Sequence, residues 1–125
     1  QVGTRFLIAD ECLIHENYKE KLLKASDVST MVTGKSMGDA VRCLKTPFSK
    51  KFFKMEYDPA VPKEEVLDFG KGAMRKAVFD GDNMGSYLAG EVAGMIHKKE
   101  SAKDIVEDIM GGAEKLLKNA PALVK

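Results

Sequence analysis

Apolar positions in this chain fall in short blocks, most of them at helical spacing. Residues 1–9 are an exception. Val2, Phe6 and Ile8 give them apolar and β-branched content, and Gly3 marks a close backbone approach, so they predict an opening strand. Tyr18, Leu22 and Ala25 share one face, predicting a helix over 17–25 with Asn17 as its N-cap. The β-rich run 29–33 stops at Gly34 and predicts a short strand, with 41–44 as a second extended piece beyond an irregular stretch. Thr46-Pro47 opens a helix carrying Phe48, Phe52, Phe53 and Met55, which Pro59 and Pro62 break. Further helices are expected over 63–69, ended by Gly70, and 72–79, ended by Gly81. Residues 80–85 then read as a loop, and the small and apolar residues 86–97 as a helix. Ser101 caps the last helix, with Asp104 three residues on. Its stripe comprises Ile105, Val106, Ile109, Met110, Ala113, Leu116 and Leu117. Gly111-Gly112 within it predicts close packing or a kink, and Pro121 ends it.

The elements are thus mostly helical, with one good strand and one or two poor ones. A lone strand cannot form a stable sheet, so the chain is expected to begin inside a larger fold. Its 125 residues would make one domain of ordinary size, and 31% charged against 44% hydrophobic residues is a globular balance. The 20 basic and 19 acidic side chains leave a net charge of +1, which argues against nucleic acid as a partner. No apolar run reaches bilayer-spanning length and no signal-peptide pattern opens the chain, so no membrane partner and a cytoplasmic, reducing setting are expected. Cys12 and Cys43 are too few for a disulfide framework, and His15 and His97 lie far apart, so no metal site is expected.

Chemistry is suggested at few positions. A phosphate needs closely approachable backbone N–H groups, and Gly3-Thr4 offers such access with an adjacent hydroxyl if it sits at the C-terminal end of a strand. The run Gly81, Gly85, Gly90, Gly94 matches neither a dinucleotide fingerprint nor a Walker loop and reads as close packing. Glu91 is a lone carboxylate among small residues: buried it needs a partner, exposed it is ordinary. No nucleophile-base set is evident.

Several short motifs occur together in a telling order. They are Gln1-Val2-Gly3-Thr4-Arg5-Phe6, His15-x-x-Tyr18-Lys19, Thr30-x-Val32-Thr33-Gly34 and Gly38-x-x-Val41-Arg42-x-Leu44-Lys45. Gly72-Ala73-x-Arg75-x-Ala77 and a Gly81-Asp82 loop leading to Ser86-x-x-Ala89-Gly90 follow. In this order they resemble the C-terminal part of the flavin-type enoyl-acyl-carrier-protein reductases (enoyl-ACP reductase II) and their relatives, the nitronate monooxygenases.

The resemblance implies an α/β parent fold, a TIM-type barrel with an inserted cap, of which this segment is mostly α with one terminal barrel strand. Residues 1–25 would be the last barrel strand and following helix, 26–100 the cap, and 101–125 a C-terminal helix on the parent fold. It implies FMN as cofactor, held by Gln1, Gly3 and Thr4, with NADH or NADPH as reductant. Ser86, Tyr87, Leu88, Ala89 and Gly90 would line the substrate side of the cap. The substrate would be an acyl thioester or a nitronate, and the full-length enzyme a homodimer. The family's catalytic histidine lies upstream, so no catalytic residue is expected in this segment and the segment alone should be inactive. Glu91 stands where the family has Gln, and Asp39-Ala40 where it has His-Pro. A different class of reading, a non-catalytic helical interaction module, rests on the Phe48, Phe52, Phe53 and Met55 face.

Overall fold

In the computed structural model, which describes residues 2–123, the centre of the fold is a hairpin. β1 (Thr30–Thr33) and β2 (Val41–Leu44) pair antiparallel, Thr30 opposite Leu44 and Thr33 opposite Val41. The connection turns at Gly34 and Gly38, both with φ 80°. A side chain at Gly34 would also lie 2.2 Å from the Asp39 carbonyl oxygen. The buried Glu56 carboxylate fastens this turn, accepting the N–H of Gly34 at 2.9 Å and of Ser36 at 2.7 Å.

Among the described residues two α-helices precede the hairpin and four follow it. α1 (Gly3–Leu7) and α2 (Glu16–Leu23) come first; α3 (Pro47–Glu56), α4 (Lys63–Gly70), α5 (Ala73–Arg75) and α6 (Ala102–Asn119) come after. α3 starts with a reciprocal cap: Thr46 Oγ1 accepts the Ser49 N–H at 3.2 Å, and Ser49 Oγ accepts the Thr46 N–H at 2.8 Å. Phe48 of α3 stacks on Phe69 of α4 with centroids 5.2 Å apart. α5 widens into a π turn, Lys76–Asp80, closed by Gly81 in the left-handed region. The core gathers Ile8, Tyr18, Leu22, Leu44, Ala77, Tyr87 and Ile96 between the hairpin and α2. Tyr18 meets Tyr87 edge-on at 4.7 Å.

The predicted hairpin strands, α3, α4 and the Ser101 cap all form. Four expectations are corrected. First, the opening segment is not a strand, so the terminal barrel strand expected within residues 1–8 is absent from 3–7, which are helical; Gln1 lies outside the described residues. A strand needs a ladder partner, and residues 3–7 pair with neither β1 nor β2. One helical turn instead satisfies the backbone locally. Second, residues 86–97 are not a helix. Leu88 bridges Cys43 in the sheet, and a 3₁₀ turn, Glu91–Met95, follows.

Third, α2 begins two residues before the expected position: His15 is its N-cap, with Nδ1 accepting the Asn17 N–H at 3.1 Å. Last, Gly111 and Gly112 neither kink α6 nor allow a close approach among the described residues, since a Cβ at either would meet nothing within 4 Å. Ile105 is buried at the start of α6, whereas Met110, Leu116 and Leu117 are exposed. No helix among the described residues is long and apolar enough to cross a membrane.

Candidate functional site

The site is assembled around the extended stretch 86–90, which is fastened from four directions. Ser86 N–H donates to the Ala73 carbonyl at 2.9 Å, and Leu44 N–H to the Tyr87 carbonyl at 2.8 Å. Ala89 N–H donates to the Arg42 carbonyl at 3.2 Å, which makes the stretch a third, irregular strand on β2. From α2, the Tyr18 hydroxyl donates to the Leu88 carbonyl at 2.7 Å. Finally, Gly90 N–H donates to Thr4 Oγ1 at 2.8 Å, tying the stretch to α1.

Where these elements meet lies a cleft of about 630 Å³, lined by Gly3 and Thr4 of α1, Val41 and Arg42 of β2, and Leu88 to Gly90. Gly3 is exposed, and a Cβ there would meet nothing within 4 Å. At the start of α1 the Arg5 N–H already donates to the Val2 carbonyl at 3.1 Å, which leaves the N–H groups of Gly3 and Thr4 without an intrahelical acceptor. Thr4 spends its oxygen as an acceptor for Gly90 and keeps its own proton to donate. Arg42 lines the cleft, with Nη1 donating to Thr30 Oγ1 at 3.1 Å and Nη2 3.4 Å from the exposed Glu91 carboxylate. Glu91 is therefore a surface partner of Arg42, not a buried acid.

A second hollow of about 510 Å³ opens on the other side of Thr4 and Gly90, toward Met95, His97 and Asp108. Its rim is an ion cluster. Arg5 Nη2 lies 2.7 Å from Asp108 and 3.1 Å from Glu100, and Lys98 lies 2.7 Å from Glu100. The hydrogen bonds Arg5 donates to Asp108, then to Glu100, raise its pKa; those Glu100 accepts from Lys98, then Arg5, hold its carboxyl below the usual range. Through Arg5 and Asp108 the cluster joins α1 to α6. Burial pushes up the Tyr18 hydroxyl and the Cys43 thiol, so Tyr18 remains a donor to Leu88. No group of three His, Cys, Asp or Glu side chains among the described residues is arranged to hold a metal.

The sequence-derived site residues thus fall in different surroundings. Gly3, Thr4, Leu88, Ala89 and Gly90 share the cleft. Ser86 faces a third hollow on the far side of Leu88. Tyr87 is 0% exposed, its ring in the core and its hydroxyl donating to the Asp82 carbonyl at 2.8 Å, so its side chain reaches no cavity. Asp39 and Ala40 are exposed at the hairpin end. Sequence reasoning overlooked Tyr18 and Arg42 as site-builders. Tyr18 had a usable signal: a tyrosine on the core face of a helix needs a partner for its hydroxyl.

Residues 1–112 match the sequence profile of nitronate monooxygenase. A curated protein of Staphylococcus saprophyticus named "Probable nitronate monooxygenase" is 25% identical over 118 residues, covering 94% of this chain and 33% of that one. The structure of FabK from Thermotoga maritima superposes with a TM-score of 0.90 at 34% identity, covering 97% of this chain and 38% of that chain. A methionine-to-alanine variant of the same FabK gives 0.78 at 32% identity, covering 97% and 36%. The chain spans about a third of the length of the relatives it matches. Matched over nearly all of its length by the profile, this chain belongs to the nitronate monooxygenase family.

Proposed function

We propose that these residues form the phosphate-gripping lip and the cap of an FMN-dependent oxidoreductase that reduces enoyl-acyl-carrier-protein thioesters with NADH or NADPH. The observation that carries this reading is the Thr4–Gly90 hydrogen bond, which makes the start of α1 and the stretch 88–90 two walls of one cleft. The donor set suits a phosphate: an open glycine, first-turn N–H groups and a hydroxyl with a proton to give. Gly3 and Thr4 would hold the FMN phosphate, and Gln1 joins them in the proposal. Leu88, Ala89 and Gly90 would cover the flavin side, with Ser86 and Tyr87 supporting that stretch from behind.

When bound, FMN would supply a two-electron relay from the nicotinamide to the β-carbon of the enoyl thioester, the α-carbon taking a proton. This chain's own residues bind and exclude water. Leu88 and Val41 present apolar surface to the cleft, Tyr18 holds the Leu88 carbonyl in place, and Arg42 neutralises Glu91 at the rim. Residues 1–25 would link barrel and cap, 26–100 form the cap, and 101–125 dock on the barrel. The complete enzyme would be a cytoplasmic homodimer without nucleic-acid or membrane partners. Residues 1–125 expressed alone are expected to be colourless and inactive.

The resemblance of the chain's motifs to enoyl-ACP reductase II favours the reductase, and the FabK structure superposes on almost the whole chain at higher identity than the staphylococcal relative. The family profile and the staphylococcal relative favour a second reading, oxidation of an alkyl nitronate. Anaerobic mixing of the full-length protein separates them. Flavin bleached by NADH or NADPH and restored by an enoyl thioester supports the reductase; bleaching by nitronate but not by nicotinamide supports the monooxygenase.

A further inference from the structure

Among the described residues that line the cleft holding Thr4 and Gly90, Arg42 is the one that carries a charge. Its guanidinium is lightly engaged. Nη1 donates to Thr30 Oγ1 at 3.1 Å, and Arg42 makes no other side-chain hydrogen bond among the described residues. A guanidinium presents five N–H donors in a planar fork, so most of the fork is unspent. Its counter-ion is Glu91, whose carboxylate stands 3.4 Å from Nη2, longer than a charge-assisted hydrogen bond. The Glu91 side chain is 77% exposed and that of Arg42 34%, so water screens the pair and it adds little to folding. Arg5, which lines the second hollow, is the contrasting case: carboxylates at 2.7 and 3.1 Å hold it. Glu91 follows Gly90 directly and opens the 3₁₀ turn Glu91–Met95. It therefore meets Arg42 as an anion tethered next to a residue of the cleft.

We infer that Arg42 anchors a phosphate group of a ligand in this cleft, and that Glu91 is a tethered competitor which the phosphate displaces. The inference rests on the cofactor reading of the cleft and adds to it the residue that supplies positive charge and the residue that opposes it. The exchange favours the phosphate. A phosphate meets a guanidinium fork with two parallel N–H···O bonds, whereas Glu91 makes none. Glu91 loses little on release, because it is already in water. FMN and the nicotinamide dinucleotides both carry such a group, and the choice between them is made by experiment.

The test titrates FMN, and riboflavin, which lacks the phosphate, into the full-length apoprotein by flavin fluorescence. NAD⁺ and NADP⁺, which cannot reduce the flavin, are titrated into the loaded protein by calorimetry. Arg42→Gln should weaken the phosphate-bearing ligand by roughly ten- to a hundredfold. Arg42→Lys keeps the charge without the fork and should weaken it less. Glu91→Gln should tighten it by about two- to fivefold. In the double variant R42Q/E91Q that gain should vanish, since solvent and salt screen an exposed carboxylate that has no anchor to compete for. Riboflavin should respond to none of these changes. A response of FMN alone assigns the phosphate to the flavin, and a response of the dinucleotides alone assigns it to the reductant. Equal responses of riboflavin and FMN, or an E91Q protein that loses thermal stability with every affinity unchanged, would make the pair a structural tie and overturn the proposal. A full-length wild type that takes up no flavin refutes the cofactor reading instead. Inorganic phosphate, titrated by calorimetry, then decides: binding that R42Q abolishes retains the anchor, and binding that is absent or indifferent to R42Q overturns it.

Discussion

Thr4 Oγ1 accepts the N–H of Gly90 at 2.8 Å across 86 positions of sequence. This bond joins the first helix to the stretch that walls the cleft, and both partners are half-buried. Thr4→Val keeps the shape and removes the acceptor. It should cost about 1 kcal/mol in denaturant unfolding and speed hydrogen exchange at Gly90, whereas Thr4→Ser should behave like the wild type. Equal exchange at Gly90 in both variants would deny the bond its fastening role.

Tyr18 fastens the same stretch from α2. Tyr18→Phe leaves the ring against Tyr87 but orphans the Leu88 carbonyl, at an expected cost of about 1–2 kcal/mol. Burial raises the folded pKa of Tyr18 and of Tyr87 above the ordinary 10.0. Above that ordinary value the unfolded chain loses these protons and the folded chain keeps them. Their contribution is therefore whole below about pH 10 and drains away as pH rises further. Stability curves should fall steeply in alkali, and Y18F should flatten part of that fall. An unchanged alkaline slope would contradict the buried, neutral state of Tyr18.

The Glu56 carboxylate holds the hairpin turn through two N–H groups, from Gly34 and Ser36. Glu56→Gln supplies one acceptor oxygen and turns an amide donor toward the other N–H. It should lower stability by roughly 2 kcal/mol in chemical unfolding. A loss within the error of the wild type would show that the turn holds itself.

Glycine substitutions should split in sign. A Cβ at Gly94 would lie 2.5 Å from the Ser26 carbonyl carbon, so Gly94→Ala should destabilise by several times the roughly 1 kcal/mol that separates Gly from Ala in a helix. At Gly111, inside α6, a Cβ meets nothing, and Gly111→Ala should raise stability by about 0.5–1 kcal/mol. Thermal unfolding of the pair checks both directions, and a destabilised G111A would reveal a partner packed on that face.

These contrasts also explain what the sequence could disclose. The strand pair, the Thr46-Pro47 start and the Ser101 cap were legible because their signals are local: β-branched runs, a fixed proline φ and a hydroxyl three residues from its N–H. Residues 2–8 misled because one short apolar segment suits either a strand or a single helical turn, and no local signal separates the two. Residues 86–97 carry helix-friendly Ala89 and Ala93, yet pairing with β2 overrides propensity. Gly94 in that stretch, and Gly85 just before it, do serve close approach, on the 26–27 backbone and on Ala77, though not from a helix. Gly3, Thr4 and Gly90 were legible as candidates from the family resemblance; that Tyr18 and Arg42 build the same cleft was not, because their partners lie far away in sequence.

The most direct test of the proposed cofactor cleft is the FMN content of a full-length Gly3→Asp variant. A side chain at Gly3 meets no atom and an acidic residue suits a helix start, so folding should be unaffected, while its carboxylate would repel a phosphate at the same donors. The account predicts normal circular dichroism and thermal unfolding of the apoprotein with FMN lost on purification. A yellow, fully loaded G3D protein would contradict it.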